Sequence, residues 1–303
     1  MSVPVVITGT GVAVPGAASA VDLLGPQEPH ARPVDPADLL GRKGLRYKDR
    51  ATRLGLCAGL LALRSARLWT DDGLALPQAD VGVVVSSDFG NVDTVCRAVR
   101  TLRAETSSGM SPMDGPNLSS NVIASDLAMR FGLKGPNLTV CNGHSGGLDA
   151  VRWATVLVRA GRAGAVLVVG VEPDTEDARA LSGAERLVDG AAAVVVETAE
   201  SARERGAPEL AALGPYARGH DQASASARLG PADLVLVPEG GARRAAEHDI
   251  AAGWGSASGA LGVLQCAAAA AYLGSGAGRS ARAVCGHESD AYAGLALTAV
   301  GAP

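Results

Sequence analysis

The run Gly135-Pro136-Asn137-Leu138-Thr139-Val140-Cys141-Asn142-Gly143-His144-Ser145-Gly146-Gly147-Leu148-Asp149-Ala150 decides how this chain folds. Leu138–Cys141 is a short apolar segment after a Gly-Pro break, shaped for a strand rather than a helix. The glycines at 143, 146 and 147 allow a sharp turn in which the backbone passes close to its surroundings. A helical pattern follows over Gly146–Ala160, with Asp149 in its first turn, where a carboxylate is favourable against the helix dipole. Strand, glycine elbow and helix in that order make the unit of an α/β protein.

The same unit recurs on both sides. Apolar runs at Pro4–Thr8, Val81–Ser86, Leu138–Cys141, Ala165–Val171 and Ala192–Glu197 read as one series of strands. A second series reads Leu210–Leu213, Asp233–Val237, Ile250–Ala252, Arg282–Cys285 and Gly294–Ala299. The central runs are continuously apolar, as strands covered on both faces must be. Helical patterns fall at about Arg50–Leu68, Ser120–Phe131 and Ser256–Leu273, while polar, aperiodic Asp174–Leu187 reads as a loop. Two series of five strands imply an internal duplication with a junction near Ala199–Pro208. The second half is compressed: the segment Gly219–Leu229 leaves little room for a crossover helix, so one helix is expected to be missing there.

Bulk properties narrow the function. With 303 residues, 47% of them apolar, the chain can bury a substantial core. Its net charge of -4 and the absence of a basic stripe argue against a nucleic-acid partner. No run approaches about 18 strongly apolar residues, and no leader pattern follows Met1, so a cytoplasmic protein without a membrane span is expected. Cys57, Cys96, Cys141, Cys266 and Cys285 stand singly, without metal-ligand spacing, and read as reduced, mostly buried thiols.

Gly135–Val140 followed by Gly143–Ala150 resembles the ketosynthase branch of the thiolase superfamily, where a Gly-Pro-x-x-x-Val strand enters an Ala-Cys-x-x-Gly elbow and a helix. The run Gly146-Gly147-Leu148-Asp149-Ala150 is similar to that of chain-length factor (ketosynthase-β) subunits of type II polyketide synthases. Those carry Gln in place of Cys, followed by Ala-Gly-Gly-Leu-Asp-Ala. Val6–Val12, Asp49–Leu63, Val81–Leu102, Gly170-Val171-Glu172 and Ala193–Arg205 support the likeness, which covers most of residues 1–205 and is weak over 206–303. It implies a thiolase-like α/β fold of two similar halves, residues 1–203 and 204–303, in an αβαβα layering with the second half shortened.

Carried across residue by residue, the family's cysteine slot falls on His144, three residues before Gly147. The His-Gly-Thr turn falls on Glu239-Gly240-Gly241, and the later Lys and His fall on Ala251 and Ser256. Condensation needs a thiolate to hold the acyl chain and imidazoles to polarise the thioester, and neither is present. The resemblance therefore implies a non-condensing, chain-length-factor-like subunit of type II polyketide or fatty-chain biosynthesis. Such a subunit pairs with a catalytic ketosynthase-α through the Leu138–Cys141 strand. It shapes the tunnel for an acyl-phosphopantetheine chain on an acyl carrier protein and holds no cofactor of its own.

Other chemistries stay open at these residues. Gly143-His144-Ser145-Gly146-Gly147 satisfies the Gly-x-Ser-x-Gly elbow, so Ser145 with His248 or His287 as base would make an acyltransferase or thioesterase. Against this, Ser145 lies one residue past the slot, about 100° around a helix. A malonyl-carrier-protein decarboxylase using an oxyanion pocket without a nucleophile is a further alternative. His144 either stands in for the Gln as a hydrogen-bond donor or fills the lost cysteine's space. Cys141 reads as a buried thiol and His220-Asp221 as a solvated turn. Glu239 serves as an acid or base, or only as part of a turn. The glycine-rich stretches Gly9–Gly16 and Gly253–Gly262 lack nucleotide-loop spacing and read as close backbone packing.

Overall fold

The computed structural model describes residues 3–28, 30–241 and 247–301. Ten strands form its main sheet. The first five are β1 (Val5–Ala13), β2 (Val81–Ser86), β3 (Asn137–Val140), β4 (Ala165–Glu172) and β5 (Gly190–Thr198). The second five are β6 (Ala211–Gly219), β7 (Leu234–Leu236), β8 (Glu247–His248), β9 (Ser280–Gly286) and β10 (Tyr292–Thr298). Their order across the sheet is β8-β7-β9-β10-β6-β1-β5-β4-β2-β3. In each set the strands run third-second-fourth-fifth-first. In each, the second pairs in parallel with the third and fourth, and the fifth runs antiparallel to both neighbours. Two similar α/β halves thus share one topology, joined where β1 meets β6 at Val6↔Ala212 and Ile7↔Ala211.

The helices sort by core. α1 (Arg50–Ser65), α2 (Val92–Glu105) and α3 (Val122–Phe131) follow the first strands; α4 (Gly146–Arg159) follows the elbow, and α5 (Glu176–Ser182) follows β4. The second half holds α6 (Gln222–Ser226), α7 (Ile250–Trp254) and α8 (Leu261–Gly274). α1 and α3 bury Leu54, Leu63, Ile123 and Leu127 against Val83, Val85, Leu167 and Val169 on one face of the first sheet. α4 and α8 occupy the other face, where Leu148, Val151, Leu261 and Leu264 join Val84, Val168, Val194, Leu236 and Ala283 in a core shared by both halves. β4 is buried along its whole length, because helices cover both faces.

Small residues make these approaches possible. A Cβ on Gly9 would stand 2.4 Å from the Ala62 carbonyl of α1, and one on Gly11 2.3 Å from that of Ala58. α4 and α8 cross where a Cβ on Gly147 would meet the Gly262 amide nitrogen at 2.6 Å. The glycine-rich stretches at both positions are packing surfaces, as their spacing suggested.

The structure departs from expectation in four places, two in each half. Ile250–Ala252 is helical, not a strand: the Asp249 side chain accepts from the Ala252 amide and caps α7, while the strand is the two-residue β8 just before it. Asp174–Leu187 is not all loop, because Thr175 caps α5 and Gly183 ends it in a left-handed conformation. The compressed crossover keeps a one-turn helix, α6, whose Asp221 cap gives the His220-Asp221 pair its role. α6 and the turn after it place Ala225 and Leu229 against Val284 and Ala296. α2, amphipathic with Thr94 and Ala98 buried, is a helix that the reading of the sequence left out.

Candidate functional site

The parallel strands β2, β3 and β4 all end at one rim of the sheet, where open α/β folds gather their ligand-facing groups. β2 ends at Ser86 and leads into Ser87-Asp88, β3 enters the elbow, and β4 ends in Glu172. Glu172 is fully buried and accepts from the amides of Asp88 (2.7 Å) and Phe89 (3.0 Å). Burial raises its carboxyl well above the usual carboxylate range, and the neighbouring Asp88 charge adds to that. Asp88 points the other way: one oxygen accepts from the Gly143 amide (3.1 Å), the other from the Ser258 hydroxyl (2.6 Å). Ser258 holds a φ of 37°, a strained backbone for a residue with a side chain.

Glu239 does more than turn the chain. Its carboxylate accepts from the amides of Ala257 (3.1 Å) and Ser258 (3.4 Å), just ahead of α8. Ser256 acts through its backbone: its carbonyl accepts from Val188 N and its amide donates to Arg186 O. Ala251 is buried in α7. The elbow and the start of α8 therefore meet at Asp88, and the second half contributes no imidazole at Glu239, Ala251 or Ser256.

His144 precedes the Ser145 cap of α4. Its Nδ1 lies 3.0 Å from Asp290 Oδ2, and its backbone amide donates to the same oxygen at 3.3 Å. That hydrogen bonding holds the Asp290 carboxyl below its ordinary range. The His287 ring stands beside His144, with centroids 5.0 Å apart and planes tilted by 31°. His248 lies on β8 at the opposite edge of the sheet.

Ser145 is fully buried and donates to Asp149 Oδ2 at 2.9 Å. Asn142 Nδ2 donates to the same oxygen (2.7 Å), the Tyr216 hydroxyl bonds the other, and Arg218 lies 3.4 Å away. Burial, with the Asp149 hydrogen bond behind it, pushes the Tyr216 phenol up. Asp149 is thus the centre of a buried network rather than a dipole partner alone.

Cys141 is exposed, not buried, because β3 lies at the sheet edge and Cys141 follows its end. Partial burial, with Asp88 and Glu172 nearby, raises its thiol pKa and disfavours the thiolate. Cys57, Cys266 and Cys285 are buried, and burial pushes Cys57 and Cys285 to about 12. Reading the sequence missed Asp88 and Asp290. Asp88 carried a signal, a carboxylate at the end of an apolar parallel strand; Asp290 carried none, being 146 positions from His144. Among the described residues no group of three or more His, Cys, Asp or Glu is arranged to hold a metal, and no helix is long and apolar enough to cross a membrane.

Comparison with known proteins places this geometry. The 3-oxoacyl-[acyl-carrier-protein] synthase 2 of Vibrio harveyi is 28% identical over 207 residues, covering 59% of this chain and 48% of its own. The granaticin polyketide putative beta-ketoacyl synthase 2 of Streptomyces violaceoruber is 29% identical over 223 residues, covering 65% and 53%. The chain spans about half the length of the curated relatives it matches. Solved structures share its fold. A type II PKS acyl-carrier protein in complex with its ketosynthase superposes with a TM-score of 0.81 at 18% identity, over 99% of this chain and 100% of the other. The ishigamide ketosynthase/chain length factor gives 0.77 at 24%, over 98% and 100%. The family model for the beta-ketoacyl synthase N-terminal domain matches residues 37–189, half of the chain. With its thiolase-like halves and its strand–elbow–helix at 135–150, the chain belongs to the beta-ketoacyl synthase family.

Proposed function

We propose that this chain is a non-condensing, chain-length-factor-like subunit that pairs with a catalytic ketosynthase and serves an acyl chain carried on an acyl carrier protein's phosphopantetheine. One observation carries the reading. The position before the α4 cap holds an imidazole bonded to Asp290, and the Cys141 thiol is on the strand side of the elbow with its thiolate disfavoured. A thioester-bound growing chain has no nucleophile to receive it there.

The pairing rests on β3. The Val83 amide donates to Pro136 O and the Ser87 amide to Val140 O, so alternate residues of this edge turn toward β2. By the two-residue period of a strand, the Thr139 N–H and C=O face outward, unpaired, at an edge that a second subunit's strand can extend. In this reading the chain's two halves are residues 1–203 and 204–303. The Ser145 acyltransferase reading loses ground, since that hydroxyl is buried and committed to Asp149. Incubating the purified chain with acyl and malonyl carrier protein tests the non-condensing claim. No elongated product is expected, and multiple-turnover elongation by the chain alone would contradict it.

A further inference from the structure

His144 and His287 come from opposite halves and sit side by side in complementary states. Asp290 is held ionised and can only accept, so His144 donates to it from Nδ1 and leaves its Nε2 lone pair free. His287 Nδ1 lies 2.8 Å from the Ser289 hydroxyl and accepts from the Ser289 amide at 3.2 Å, an arrangement that leaves Nε2–H as the ring's outward donor. One imidazole thus offers a base, and the other, 5.0 Å away between centroids, offers an N–H donor. The His144 side chain is 29% exposed and that of Asp290 32%, so water reaches the pair.

We propose that His144 and His287 form a hydrolytic site for acyl thioesters that uses water, not a protein nucleophile. The substrate class rests on the proposed function above; the chemistry rests on the pair itself. His144 Nε2 takes a proton from water as the water oxygen bonds to the thioester carbonyl carbon. His287 Nε2–H donates to the carbonyl oxygen as charge develops on it. Collapse breaks the C–S bond, and the proton held by His144 passes to the departing thiolate. The products are a carboxylic acid and a free thiol. Asp290 is a positioning residue that fixes the His144 tautomer. The charged and titratable groups around His144 are Asp290 and His287 on the β9–β10 turn and Asp88, which holds Gly143. A chain equipped this way removes stalled or unwanted acyl groups rather than extending them.

The test is release of thiol from hexanoyl-N-acetylcysteamine by the full chain as isolated, followed with a thiol-reactive dye. Wild type releases thiol above the buffer rate, and His144→Gln, which keeps a hydrogen bond to Asp290 but is no base, lowers the rate about 100-fold. Subtracting the His144→Gln rate removes any contribution from a co-purifying ketosynthase. Asp290→Asn lowers the rate, and Asp290→Glu, which keeps the carboxylate, restores part of it; a purely structural role shows no such rescue. Circular dichroism of each variant separates lost chemistry from lost fold. Thiol release no faster than buffer, an equal rate in His144→Gln, or a loss in Ser145→Ala that His144→Gln does not show would overturn the proposal. None of these results touches subunit pairing, which is measured separately.

Discussion

Asp88 accepts the Ser258 hydroxyl at 2.6 Å with one carboxylate oxygen and the Gly143 amide at 3.1 Å with the other. A single side chain thereby ties the elbow of the first half to the start of the second half's central helix. Around that tie stand the imidazole of His144 and the carboxylate of Glu239.

Replacing Asp88 with Ala leaves the Gly143 amide and the Ser258 hydroxyl without their acceptor. About 1–3 kcal/mol of stability is expected to be lost, the range for stranding buried polar partners. Urea unfolding measures it, and a loss under about 0.5 kcal/mol, the range of neutral surface changes, would mean that the halves do not depend on this tie.

The α4–α8 crossing makes a steric prediction. Gly262→Ala drives a Cβ to 2.3 Å from the Leu148 amide nitrogen, so overpacking costs about 1–3 kcal/mol or more. Gly115→Ala, where a Cβ meets nothing within 4 Å, stays within about 0.5 kcal/mol of wild type. Comparable losses in the two variants would contradict the packing account.

Glu172 and Asp290 respond to pH with opposite signs. Glu172 binds its proton more tightly folded than unfolded, so above the ordinary carboxylate range near pH 4.3 its contribution falls as pH rises toward the elevated folded value. Asp290 is shifted down. Its contribution is complete above the unfolded value near 3.9 and is lost as pH falls through the lowered one. Being partly exposed, it is worth at most about 1 kcal/mol. A carbon-13 titration of the side-chain carboxyls is expected to place the Glu172 midpoint above the reference and that of Asp290 below. The reverse order would refute both assignments.

The outward N–H of Thr139 yields a test of the interface. Thr139→Pro removes a donor from the open side of β3 while sparing the bonds to β2. Association with a ketosynthase should weaken at least about tenfold, with the circular dichroism spectrum unchanged; unaltered association would place the interface elsewhere.

Much of this was legible in the sequence because it is local. The strand through Leu138, the elbow at Gly143 and the helix from Gly146 are written in consecutive residues, and the burial of β4 shows in its apolar run from Ala165 to Val171. β8 and α7 were not legible: a two-residue strand carries no period, and the apolar Ile250-Ala251-Ala252 is turned into a helix by the Asp249 cap alone. Asp290 escaped for a related reason, since a β-turn carboxylate acquires meaning only when the fold brings it to His144. Cys141 reads as a core thiol because its strand is apolar, although that strand closes the edge of the sheet.

The most direct test of the central claim is native mass spectrometry of the chain expressed alone and together with the ketosynthase encoded nearest to it. The account predicts a one-to-one heterodimer on co-expression, with the lone chain unstable or poorly soluble. A stable monomer or homodimer that ignores the ketosynthase would contradict it.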